Sequence, residues 1–115
     1  MKTIILKGNP ISTQHAYRTG GRTSHRYMIA KARALKEDYQ WQVKQQWKGK
    51  MIEDDVAINV LIYFKDKKRR DWDNFHKLSM DALEGIAIKD DSQIQEAHIY
   101  KEIDKDNPRI EISLL

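Results

Sequence analysis

From Val56 to Phe64 the sequence alternates: Val56, Ile58, Val60, Ile62 and Phe64 fall on one side of an extended segment, and Ala57, Asn59, Leu61 and Tyr63 on the other. A strand with one strongly apolar face has to bury that face under a second layer. With 115 residues there is room for one core, so the spacing predicts a single domain over 1–115. Helical periodicity supplies the covering layer. Met28, Ala32, Leu35, Tyr39, Val43 and Trp47 recur at the interval of a long helix that begins near Ser24 or Tyr27 and ends by Gly49. Phe75, Leu78, Ala82, Leu83 and Ile86 mark a second helix from near Asp73 to about Gly85.

Thr3–Leu6 reads as a first strand stopped by Gly8-Asn9-Pro10. Ala97, Ile99 and Ile103 suggest a third strand, Asp104 to Pro108 a turn, and Ile110, Ile112 and Leu114 a fourth strand that closes a hairpin with the third. The stretch from Ile11 to Ser24 is aperiodic and rich in Ser, Thr, Gly and Arg, and reads as a loop. The resulting order, βαβαββ, predicts an α/β (α+β) domain: a mixed four-stranded sheet with two helices.

No cysteine is present, which removes disulfides and thiolate metal sites. No apolar run is long enough to span a bilayer, so the expectation is a soluble, cytoplasmic protein without a membrane partner. The net charge of +4 is small against 33% charged residues, and its distribution says more. Lys65 to Arg70, KDKKRR, places Lys65, Lys67, Lys68, Arg69 and Arg70 around a single acid. A second basic group, Arg18, Arg22, Arg26, Lys31 and Arg33, follows the first strand. Solvated faces and a polyanion-binding surface both fit these clusters.

The stretch that carries chemistry is Arg69-Arg70-Asp71-Trp72-Asp73-Asn74-Phe75-His76-Lys77, at a strand-to-helix junction. Asp71 and Asp73, two apart, project to one side of an extended segment. There a divalent cation relieves the repulsion between their carboxylates; hard oxygen ligands favour Mg²⁺. Lys77 lies one helical turn beyond Asp73, within reach of a phosphate. Asp90 and Asp91 offer further carboxylates that could fold back to complete a pocket. Plainer readings stand beside these: Asp73 or Asn74 as a helix N-cap, Lys77 as an i, i+4 ion-pair partner of Asp73, and Asp90-Asp91 as turn residues. Trp72 suits base stacking or partial burial, His76 is a lone histidine near the site, and His15, His25 and His98 lack zinc spacing.

In motif and order these residues resemble the RusA family of Holliday junction resolvases, small endonucleases of bacteria and their prophages. The family pattern is a basic run, Asp-x-Asp-Asn-x-x-Lys, then Asp-Ala-Leu, then an Asp pair; here it reads Arg69 to Lys77, Asp81-Ala82-Leu83 and Asp90-Asp91. The resemblance implies Asp71, Asp73 and Asp91 as catalytic metal-binding carboxylates, Asp90 as a helper and Lys77 as the essential lysine. It further implies a Mg²⁺-dependent homodimer acting on four-way junction DNA in recombination and repair, with Mn²⁺ as an alternative ion and no small-molecule cofactor. Pro10 to Tyr17 is similar to the family's Pro-x-Ser-x-Asn-x-x-Tyr loop, with Gln14 in place of the Asn. Expected DNA contacts are Lys67, Lys68, Arg69, Arg70, Arg18, Arg22 and Gln14. The rival reading is a non-catalytic module for branched or single-stranded DNA. The aspartates count against it, since unscreened carboxylates weaken phosphate binding.

Overall fold

The computed structural model describes residues 2–12, 17–20, 25–71 and 74–115, with the backbone alone for 17–20 and 25–28. Strands β1 (Lys2–Lys7), β2 (Tyr17–Gly20) and β3 (His25–Met28) precede a long helix, α1 (Ala30–Gln46). Strand β4 (Val56–Phe64) leads to a short helix, α2 (Lys77–Leu83), and a 3₁₀ turn at Asp91–Gln93 precedes β5 (Ile94–Ile103) and β6 (Arg109–Leu114).

The main sheet has four strands in the order β1-β6-β4-β5. β6 runs antiparallel to both neighbours, so Ile112 sits opposite Ile4 on one side and Val60 on the other. β4 and β5 are parallel, with Val60 beside Ile99. Parallel strands need a crossover, and the segment containing α2 provides it. Along β4 the expected alternation holds: Val56, Ile58, Val60, Ile62 and Phe64 are buried, and the intervening residues are half-buried. Ile4, Leu6, Ile110, Ile112 and Leu114 extend the same apolar face, which meets Ala32, Tyr39 and Val43 of α1 and Leu78, Ala82 and Leu83 of α2. Among the described residues the architecture is α+β, a mixed four-stranded sheet with two α-helices, as the sequence predicts.

Four features differ from expectation. The segment 11–24 contains β2, which pairs with β3 as a separate two-stranded ribbon, Arg18 opposite Tyr27. Both strands are polar, so no hydrophobic alternation marks them, and α1 accordingly begins at Ala30 rather than near Ser24 or Tyr27. α2 begins at Lys77, not Asp73, because a tight turn at 74–76 comes first, and it stops at Leu83 because Glu84 turns extended (ψ 131°) and leads into a tight turn that Gly85, with φ of 83°, completes. Finally, β5 and β6 form no hairpin: β4 lies between them. As the strand with the longest apolar alternation, β4 takes the interior position with both edges paired, and the 104–108 turn passes over its end, where the Asp104 N–H donates to the Phe64 carbonyl at 2.8 Å.

Candidate active site

The basic run leaves the end of β4 and is held to the core by Arg70. The Arg70 guanidinium stacks over the Phe64 ring at 4.5 Å and pairs with Asp66 at 2.8 Å. Phe64 in turn meets buried Phe75 edge to face, ring centroids 4.9 Å apart, which ties the two ends of the motif together. From the neighbouring strand, the Lys101 ammonium donates to the Arg70 carbonyl at 2.8 Å. The Lys68 N–H and then the Arg70 side chain hold the Asp66 carboxyl below its usual range. Arg70 therefore anchors the loop, while Lys67, Lys68 and Arg69 are exposed.

Asp71 follows, exposed, its carbonyl accepting the Asn74 N–H at 3.2 Å. It stands on the wall of an open cleft of 690 Å³ between this loop and the segment after β1. Lys68, Arg69 and Lys31 give the cleft its cationic rim, with Asn9 to Ser12 opposite. Thus Pro10, Ile11 and Ser12, the described part of the loop that resembles the family's N-terminal one, share a cavity with Asp71 and Asn74 of the acidic motif. Gln14, Arg22, Trp72 and Asp73 lie outside the described residues, and Arg18 is placed only by its backbone in β2.

The N-cap of α2 is His76 rather than Asp73 or Asn74, and its carbonyl accepts the Met80 N–H and the Ser79 hydroxyl, at 2.9 and 2.7 Å. Lys77 opens the helix about half exposed, and its ammonium lies 3.4 Å from Asp81, one turn on. Its ion-pair partner among the described residues is thus Asp81.

Beyond α2 a second loop folds around Gln93, whose amide is buried and makes four hydrogen bonds. Its oxygen accepts the Lys89 and Asp90 N–H groups, both at 2.8 Å, and its nitrogen donates to the carbonyls of Ile52 at 2.8 Å and Asp54 at 2.9 Å. That fixes Asp90 and Asp91 at the surface. Glu84, brought back by the Gly85 turn, accepts the Asp91 N–H at 3.3 Å. Glu84, Asp90 and Asp91 each present a carboxylate oxygen within 4.8 Å of the others. The Ser92 hydroxyl, 2.9 Å away, holds the Asp90 carboxyl below the usual range, so it stays ionised. Among the described residues this is the acidic trio; it brings Asp90 and Asp91 together and adds Glu84, but does not include Asp71. Sequence reasoning missed Glu84 and Gln93, and the one available signal was Gly85, the turn that returns Glu84 toward Asp91.

Three clustered carboxylates offer hard oxygen donors of the kind that Mg²⁺ or Mn²⁺ takes. Comparison with known proteins then bears on the whole chain: residues 7–115 match the family model for endodeoxyribonuclease RusA. The chain belongs to the RusA family. It is also 32% identical over 66 residues to the crossover junction endodeoxyribonuclease RusA of Aquifex aeolicus (strain VF5). That similarity covers 56% of this chain and 52% of the Aquifex protein, so the chain spans about half the length of its curated relative. The RusA match takes in both the cleft segment and the acidic loop.

Proposed function

We propose that this chain resolves four-way DNA junctions by divalent-cation-dependent phosphodiester hydrolysis, as a homodimer in the cytoplasm serving recombination and repair. The observation that carries the reading is Asp71 on the wall of a cation-rimmed cleft, in a chain that matches the RusA family over 7–115. Lys68, Arg69 and Lys31 position a DNA strand by its phosphates, with Lys67, Arg18, Arg22 and Gln14 extending the contact. Arg70 keeps the loop in place and presents its neighbours, contacting DNA only at its edge.

Asp71, Asp73 and Asp91, with Asp90 and Glu84 beside Asp91, are the residues that would hold the cation. When bound, Mg²⁺ or Mn²⁺ supplies charge neutralisation at the phosphoryl group and a hydrolytic water at neutral pH. Lys77, half exposed at the start of α2, orients a non-bridging phosphate oxygen, and its contact with Asp81 limits where the ammonium can swing. Two equivalent sites in a two-fold dimer suit paired, symmetric incisions.

The test is incubation of the purified protein with an end-labelled four-way junction, a Y-fork and a linear duplex, each with Mg²⁺ or chelator, alongside thermal melts in both conditions. Paired symmetric nicks in the junction alone, together with a Mg²⁺-dependent rise in melting temperature, are the expected result. Tight junction binding with no nicks under Mg²⁺ or Mn²⁺ would instead identify a non-catalytic branched-DNA module.

A further inference from the structure

On the outer strand β5, the side chains that continue the helix-covered face of the sheet are Ala97, Ile99, Lys101 and Ile103, beside Ile58, Val60, Ile62 and Phe64 of β4. Every β4 member of that row is buried. On β5 one cation breaks the apolar row, level with Ile62 and two residues short of the end of β4. An inward charge on an outer strand often does no more than discourage pairing with other chains, and in that role its ammonium stays in water. The Lys101 ammonium instead donates to the Arg70 carbonyl at 2.8 Å, 31 residues away in sequence.

Because Lys101 is level with Ile62, the loop that leaves Phe64 has to turn back along the sheet for its carbonyl to meet the ammonium. The loop's own bonds do not impose that path. Those from the Lys68 N–H and the Arg70 guanidinium to Asp66, and from Arg70 to the Lys68 carbonyl, stay between residues 66 and 70. The stack on Phe64 fixes the Arg70 side chain, whose length lets the guanidinium reach the ring from many backbone paths; the Lys101 bond is made to the peptide itself. That peptide joins Arg70 to Asp71. The next carbonyl, that of Asp71, accepts the Asn74 N–H at 3.2 Å. The planar peptide units on both sides of Asp71 are therefore held, and the direction in which its side chain leaves the backbone is set from both ends.

We propose that Lys101 is a positioning residue: from the sheet edge it holds the Arg70–Asp71 peptide so that the Asp71 carboxylate is presented to a divalent cation. This rests on the metal-dependent nuclease reading above. Asn74 holds Asp71 from within the motif, and Lys101 ties it to the rigid sheet. The charge of Lys101 and its hydrogen bond act on metal binding in opposite directions. A cation at the Arg70 carbonyl repels a divalent ion, so losing the charge alone tightens metal binding. Losing the hydrogen bond releases the peptide before Asp71 and weakens it, as happens when the groups that orient a metal ligand are removed.

Mn²⁺ binding to the full chain without DNA, followed by electron paramagnetic resonance, separates the two effects. Lys101→Met keeps most of the stem and removes the donor. It is expected to bind Mn²⁺ roughly tenfold more weakly, the low end for residues that support metal ligands. In proton–nitrogen NMR spectra it should also shift the Asp71 amide, whose nitrogen shares a peptide with the Arg70 carbonyl. Lys101→Arg keeps a donor and should restore both, while junction affinity in chelator should stay near that of the wild type in either variant. Lys101 is exposed, and circular dichroism checks folding; should Lys101→Met misfold, Lys101→Thr removes the same donor with a side chain that strands favour. Unchanged or tighter Mn²⁺ binding in the folded variant overturns the positioning role and leaves the nuclease reading intact. So does a fall in junction affinity with Mn²⁺ binding unaltered, which would make Lys101 a DNA contact. An unmoved Asp71 amide overturns the hydrogen bond itself. A wild type that binds neither Mn²⁺ nor Mg²⁺ overturns the metal-dependent reading and the positioning role together.

Discussion

Two loops flank α2, and each is pinned by one polar side chain that turns inward while its neighbours face solvent. In the loop after β4 the pin is Arg70, an ion pair and a ring stack; in the loop before β5 it is Gln93, four bonds from a neutral amide. The chemistry of each pin suits what it holds up. A cation packed against Phe64 and already paired with Asp66 adds little net charge, leaving the positive field over the cleft to Lys68 and Arg69. An uncharged amide fixes Asp90 and Asp91 without neutralising them, leaving their charge for a cation. The comparison also separates their sensitivities, since an ion pair responds to pH and salt and an amide does not.

The largest effect tests whether the two loops serve one site. Asp71→Asn in the first and Asp91→Asn in the second should each reduce junction cleavage on the order of 10³-fold, with junction binding retained. Residues acting on one cation are not additive, so the double variant should be little worse than either single one. Multiplying losses in single-turnover assays would divide the loops into separate sites. Next in size, Gln93→Ala strands the backbone groups that the amide satisfies and should cost about 2–3 kcal/mol in denaturant unfolding. Its loss should be the same in low and high salt, a contrast with the ion pair of the other loop.

Arg70→Ala removes a partly screened ion pair and a ring stack, about 1–2 kcal/mol together, and the loss should shrink in high salt. The pH dependence follows in sign. The Asp66 carboxyl is held below its ordinary value of 3.8, so its contribution is complete above that value and disappears as pH falls through the folded one. Wild-type protein should therefore lose stability below about pH 4, and Arg70→Ala should flatten that slope in acid titrations of the unfolding midpoint. Smallest of all, Ser92→Ala should let the Asp90 carboxyl titrate at higher pH, visible by NMR, with hardly any change in melting temperature. An unchanged Asp90 titration would show that the Ser92 hydroxyl is not what holds it.

Period-two alternation located β4 and its buried face correctly, because a nine-residue strand with one apolar side has no other way to bury it. The seam at Phe64 and Phe75 was half legible: both residues read as core, but Arg70, between them in sequence, read as a DNA contact. Nothing in a run of cations marks which one will lie on an aromatic ring. The β2–β3 ribbon escaped notice because its strands are polar, and the β5–β6 hairpin was inferred from a turn between neighbouring strands when a third strand lay between them. Asp90 and Asp91 were placed together by adjacency alone. Their companion Glu84 depends on a reversal at Gly85, and their support depends on Gln93 reaching Ile52 and Asp54, contacts across 41 and 39 residues that local pattern does not carry.

The place of β6 bears on how the chain is made. β1 and β4 emerge from the ribosome early, yet the strand that lies between them is the last of the main sheet to be synthesised. Until Arg109–Leu114 arrives, β1 has no neighbour in the sheet and β4 keeps one bare edge beside an apolar face. Nascent chains pass through an interval in which their most aggregation-prone strand is half unpaired. A message truncated before Arg109 would leave the polypeptide in that condition permanently, although it would already encode both of the loops that flank α2.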